Sequence, residues 1–268
     1  MSIKTDKKTE TPPLLYPPMV EAIFELRWEM EQNQQTGTLR DVAYPMMYGQ
    51  LYELMKKEFP AVEDLSSIHT HPEMAPFTPR HRMRKEANGY PLIQVGPGIL
   101  TMNHAKGYSW SAFQALTLRL VEAVSILYPR KSRPLVFLKC EVRYVNALFF
   151  DIAKENPLAF LQDKLHIGIH LDEEIFAKNS LSQIPNAVGL NLIYPLQKPL
   201  GHLGISVNLG QADQKPAYVL QTLIQSFGET VPLDAKAFSP WLDQAHDVAE
   251  NCFQSFCKGA LMNRFCGA

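Results

Sequence analysis

VEAIFELRWEM, residues Val20–Met30, is the stretch that decides the fold. Val20, Ala22, Phe24, Leu26, Trp28 and Met30 fall on one side of a two-residue period, and Glu21, Ile23, Glu25, Arg27 and Glu29 on the other. Alternation of this length predicts a strand with one face in a core and the other in water. A second stretch, Pro134–Phe150, repeats the pattern. Val136, Leu138, Cys140, Val142 and Tyr144 share a face there, and Lys139, Glu141 and Arg143 take the opposite one.

Each alternating stretch is followed by the same run of signals. After the first, Val42–Phe59 carries Met46, Met47, Leu51, Leu54, Met55 and Phe59 at helical spacing and stops at Pro60. A Pro- and His-rich loop, 61–79, leads to a strand at His81–Glu86. Asn88-Gly89 suits the positive φ angles of a type I′ turn, and Pro91–Val95 then returns. Gly96-Pro97-Gly98 turns the chain into Ile99–His104, and Ser109 caps a helix that runs to Tyr128 and ends at Pro129. In the second half Asn156 caps a short helix, Pro157–Leu165, and a looser connection runs to Asn186. Ala187–Tyr194 and His202–Leu209 alternate as strands. Ala217–Phe227 fits both periods and is read as a strand. Ser239-Pro240 reads as a cap with proline at the first helical position, opening a helix to Phe265.

The string is β-α-βββ-α, twice. It predicts an α+β fold of two such units, an antiparallel sheet with all four helices on one face. The expected divisions are a disordered arm at 1–15, a first half at 16–130 and a second at 131–268. With the two alternating stretches meeting at a pseudo-twofold axis, the arrangement resembles the duplicated fold of TATA-box-binding proteins, a likeness of architecture that does not fix function.

Composition narrows the classes. The chain has 268 residues, 46% hydrophobic and 20% charged, an ordinary globular balance. Lys and Arg number 26 against 27 Asp and Glu, so a phosphate-binding role needs a local patch. The N-terminal residues lack an apolar core for a secretory signal, and no run reads as a membrane span of about 18 residues. Cys140, Cys252, Cys257 and Cys266 form no metal-binding pair and read as free thiols in a reducing cytoplasm.

No stretch carries a strong catalytic signature. Gly96-Pro97-Gly98 lacks the residues of a phosphate loop, and no G-x-S-x-G elbow occurs. His69, His71, His81 and Glu73 share a region, but a loop gives no reason for them to converge on a metal. Arg80, Arg82, Arg84 and Lys85 form a basic cluster that fits a soluble sheet edge better than a nucleic-acid contact. If Val20–Met30 pairs with Pro134–Phe150, Glu21, Glu25, Arg27 and Glu29 face Lys139, Glu141 and Arg143. That surface is either a solvated ion-pair ladder or a polar groove for a partner. The expectation is a non-enzymatic binding module with a protein partner, self or other, without cofactor, metal or membrane attachment, and with nucleic acid disfavoured. The alternative is a small-molecule binder or enzyme using Asn103, Tyr144, Asn146 and His246 in a pocket between sheet and helices.

Several segments occur together in a telling order: Tyr16-Pro17-Pro18-Met19-Val20-Glu21-Ala22 with Ile23-Phe24-Glu25-Leu26-Arg27, then Gln94-Val95-Gly96 with Leu100-Thr101-Met102-Asn103, then Arg143-Tyr144-Val145-Asn146, and finally His246 with Phe253. Together they resemble a sporadically distributed prokaryotic family of about this length without an assigned function. Met19 departs from the Leu or Ile expected there. The resemblance implies no catalytic residues, and its patchy distribution implies a mobile or defence-associated context.

Overall fold

The two alternating stretches lie side by side at the middle of one sheet. A computed structural model describes residues 14–128, 134–151 and 154–267. Its strands are β1 (Met19–Trp28), β2 (Glu31–Gln32), β3 (Leu39–Arg40), β4 (Ala61–Asp64), β5 (His81–Arg84), β6 (Leu92–Gly96), β7 (Ile99–His104), β8 (Phe137–Phe149), β9 (Gly189–Gln197), β10 (Leu200–Ala212) and β11 (Lys215–Phe227). Its helices are α1 (Tyr44–Met55), α2 (Trp110–Leu127), α3 (Pro157–Leu165), α4 (Glu173–Asn179), α5 (Ala235–Cys257) and α6 (Ala260–Cys266). Nine strands form an antiparallel sheet in the order β4-β5-β6-β7-β1-β8-β11-β10-β9, and β2 and β3 form a separate small ribbon. The expected arm, apart from Leu14 and Leu15, and the expected stop at Pro129 lie outside the described residues.

The α+β class and the antiparallel sheet with helices over one face are as the sequence predicts. The β1–β8 pair carries a fully buried row of Ala22, Phe24, Leu26 and Trp28. Phe238 of α5 fills the seam between the strands, edge-on to Phe24 and to Phe137 at centroid distances of 6.1 and 5.9 Å. One apolar core therefore runs through both halves. By length and composition α2 is apolar enough to cross a membrane, contrary to the sequence expectation. Its Phe113, Leu116, Leu120, Val121 and Val124 are instead buried in this core.

Several elements depart from expectation, each for a physical reason. Arg27 pairs with Lys139 but Trp28 with Phe137, so Leu138 is an extra, bulged residue. The bulge reverses the phase. Phe137 points to the core, and Val136, expected there, is 42% exposed. Loop 61–79 begins with β4, an edge strand whose Glu63 and Asp64 hide the usual alternation. The Asn88-Gly89 turn is not type I′. Only Asn88 has positive φ, and the Gly89 amide donates to the Glu86 carbonyl. Ala217–Phe227 lies within β11, paired along its length with both β8 and β10, which overrides its helical period. The last helix starts earlier than Ser239. Asp234 caps it by accepting from the Ala237 amide, and Pro240 lies inside. Burial of Phe238 extends the helix across the proline, whose exposed side leaves the lost carbonyl bond to water. Gly259, at φ 77°, separates α6 from α5. The connection to Asn186 contains α4, which buries none of its residues.

Candidate functional site: the helix-free face

In β1, β7 and β8 the side chains opposite the core point to the face without helices. The register sets Glu25 directly across from Glu141, with Arg27 across from Lys139 and Ile23 across from Arg143. Two carboxylates in facing positions repel, and the neighbouring cations resolve the conflict. Lys139 Nζ lies 3.2 Å from Glu25 Oε1 and 2.5 Å from Glu141 Oε2, so one ammonium bridges both. Arg27 Nε is 2.7 Å from Glu25 Oε1, and an Arg143 terminal nitrogen is 2.7 Å from Glu141 Oε1. The charges alternate as Arg27, Glu25, Lys139, Glu141, Arg143.

This chain of charge is not the solvated ladder that was one expectation. The Glu141 side chain is 1% exposed, while the Arg27 and Arg143 side chains at the two ends are 34% and 36% exposed. Loop residues close one end, where the Phe77 ring lies 5.4 Å from the Arg27 guanidinium carbon. Gly96 lets that loop approach, because a Cβ there would meet the Thr78 carbonyl oxygen at 2.0 Å.

Towards β4 the face continues as a hydrogen-bonded row. Glu21 accepts from Asn103 at 2.9 Å. Gln94 donates to Thr101 at 3.3 Å and to Asn103 at 3.4 Å, and accepts from Arg82 at 3.1 Å. Arg82 and Arg84 both pair with Glu63, and the Arg84 contact holds the Glu63 carboxyl below its ordinary pKa. Arg80 is buried and donates to the Ile68 and Thr70 carbonyls. The basic cluster is thus largely paired within the chain. Gln94 and Thr101 were missed from sequence, although Thr101 shares the two-residue phase of Asn103.

The alternative pocket does not assemble. Asn103 sits on the helix-free face, whereas Tyr144 and His246 meet on the other, with the Tyr144 hydroxyl 3.1 Å from His246 Nδ1. Tyr108 continues that contact, hydroxyl to hydroxyl at 3.3 Å, and Trp110 stacks on the His246 ring at a centroid distance of 4.0 Å. Burial pushes the Tyr108 pKa up to about 12 and the Tyr144 pKa well above its usual range. Asn146 is buried further along β8, across from Met19 and Leu220. A shallow depression of about 330 Å³ lies elsewhere, lined by Phe149, Phe150, Asp151, Lys215 and Pro216.

The loop histidines are dispersed. His81 faces the helix side, stacks on Tyr48 at 4.0 Å and contacts Asp64 at 2.8 Å. Glu73 accepts from the Thr38 hydroxyl. Among the described residues no three His, Cys, Asp or Glu side chains group to hold a metal.

One polar residue invisible to the sequence reading is Asp41. Its buried carboxylate accepts from Trp28 Nε1 at 2.8 Å, the Gly98 amide at 3.0 Å, the Tyr128 hydroxyl at 3.1 Å and the Ala43 and Tyr44 amides at 3.2 and 3.1 Å. It ties the end of β1 to the β6–β7 turn, the start of α1 and the end of α2.

No protein-family model and no curated protein matches the sequence. Among solved structures the chain is similar to Methanococcus jannaschii TBP at 13% identity and a TM-score of 0.25, over 87% of this chain and 99% of that one. A likeness at that level carries no functional argument, and the description of the fold rests on the strand order itself.

Proposed function

We propose that the chain is a non-catalytic binding module that receives a protein partner on the helix-free face of its sheet. The observation that carries the reading is the alternating charge chain at the centre of that face. Its carboxylates are enclosed and charge-paired from within, and it ends in two partly exposed arginine side chains. Planar guanidinium groups recognise carboxylates by paired hydrogen bonds, so the partner favoured is one that presents acidic side chains. The free state of Cys140, Cys252, Cys257 and Cys266 supports the cytoplasm as the place of work.

The test is affinity isolation of the tagged chain from its own cells, followed by direct binding measurements with whatever co-isolates. Arg27→Gln and Arg143→Gln remove the charge and leave a polar amide, and together they are expected to weaken partner binding about tenfold or more, the equivalent of 1.4 kcal/mol. Unchanged affinity in the double variant would sink this surface. Reversal of Glu25 is a poorer probe, because Glu25 is enclosed beside Lys139 and its loss reports on folding as well as on binding.

A further inference from the structure

We propose that two copies of this chain join through their β9 strands into one continuous sheet. β9 ends the nine-stranded sheet, with β10 as its one strand neighbour among the described residues. The Leu209 amide donates to the Val188 carbonyl, one residue before β9 begins. Hydrogen-bonded pairs alternate along an antiparallel ladder. With the register Val207 to Leu190, Ile205 to Leu192 and Leu203 to Tyr194, those residues of β9 bond to β10. Gly189, Asn191 and Ile193 then direct their amides away from the sheet, and Pro195, which has none, shares that outward side. Proline belongs on such a side, where the ladder asks for no donor.

The side chains favour a second copy as the occupant. Gly189–Gln197 reads GLNLIYPLQ and contains no charged residue. In a twofold antiparallel pairing each residue meets its own kind or a near neighbour, so a charged strand repels itself and an uncharged one does not. Ile193 is 71% exposed, and Tyr194 next to it in the strand and Leu200 at the β9–β10 turn are exposed as well. Long, uncharged, apolar edges are the ones that natural sheets otherwise protect. The opposite edge is protected in that way. β4 has four residues, two of them Glu63 and Asp64. A β4–β4 contact would set carboxylates against each other, and a β4–β9 contact would offer them no cation. Assembly through β9 therefore closes at two copies.

The register that uses the outward donors and leaves Pro195 outside places Asn191 opposite Asn191 of the second copy and Gly189 opposite its Ile193. Sedimentation velocity and native mass spectrometry over a concentration series are expected to show a dimer. Asn191→Pro removes a donor that β10 does not use, and Ile193→Lys brings two charges to the seam. Each is expected to weaken the dimer about tenfold or more, with the circular dichroism and melting temperature of the parent retained. Asn191→Cys is expected to cross-link to its mate on mild oxidation, and Val62→Cys on β4 to remain uncross-linked. A wild-type monomer throughout the series overturns the proposal. So does a dimer that persists in both Asn191→Pro and Ile193→Lys, or cross-linking at Val62→Cys in place of Asn191→Cys. Arg27→Gln with Arg143→Gln leaves this dimer intact, which separates its test from that of the helix-free face.

Discussion

The two faces of the β1–β8 pair are closed by opposite chemistry, the helix side along its whole row and the other side only around Glu141. On the helix side Phe24, Phe137 and Phe238 meet edge to face with no polar group among them. On the other side Glu141 is as buried as the phenylalanines and is charge-paired with Lys139 and Arg143. Apolar burial stabilises without regard to partner identity. Enclosed charge adds little net stability, yet loses much when one member is removed. The helix side is therefore the face that holds the fold. The other can be altered as a set with little effect on stability, and that freedom suits a recognition surface.

The largest effect belongs to the helix side. Phe238→Ala empties the seam between the two central strands and is expected to destabilise by about 3–5 kcal/mol, read from chemical denaturation at constant slope. A change below 1 kcal/mol, on the order of a tolerated core swap, would mean that the seam repacks and the faces differ less than argued. Asp41→Ala follows. It strands the Trp28 indole and the Gly98 amide without an acceptor, at about 1–3 kcal/mol for each buried group left unpaired. The expected signature in hydrogen exchange is loss of protection where β1, the β6–β7 turn and the ends of α1 and α2 meet.

The helix-free face gives the sharper test. Lys139→Met alone leaves Glu25 and Glu141 opposed with no ammonium between them, and about 3 kcal/mol of destabilisation is expected. Adding Glu25→Leu and Glu141→Leu removes the opposed carboxylates, leaves as charge only the partly exposed Arg27 and Arg143 side chains, and is expected to restore most of that loss. A triple variant no more stable than Lys139→Met would show that the charges support the fold itself and would remove the contrast between the faces.

How far sequence reached follows from the range of each cause. The alternation of Val20–Met30 is local, so β1 and its two faces were legible, and the facing charges of 139–143 were enough to pair the stretches. The bulge at Leu138 depends on the partner strand, and with it went the expected inward places of Val136 and Leu138. β4 shows no alternation because an edge strand has little to bury. Asn103 groups with Tyr144 in sequence only as a polar candidate for an apolar pocket, and β7 and β8 turn the two to opposite faces. Asp41 carried no pattern at all, since its partners come from positions 28, 43, 44, 98 and 128.

The smallest effect concerns pH and separates the faces once more. His104 belongs to the helix side, edge-on to Tyr108 at 5.6 Å. Burial lowers its pKa below the ordinary 6.5, and Lys85 adds to the shift. A histidine whose pKa is depressed in the fold contributes stability that is fully present above the unfolded value. That contribution is lost as pH falls from about 6.5 towards the folded pKa, because only the unfolded chain takes up the proton. The denaturation midpoint is expected to fall between pH 7.5 and 5.5, and His104→Gln, neutral throughout, to flatten that part of the profile. The charge chain on the other face contains no histidine, so Lys139→Met is expected to lower the curve while keeping its slope over this range. A His104→Gln curve parallel to the parent would show that His104 is not the group whose proton uptake differs between the folded and unfolded chain.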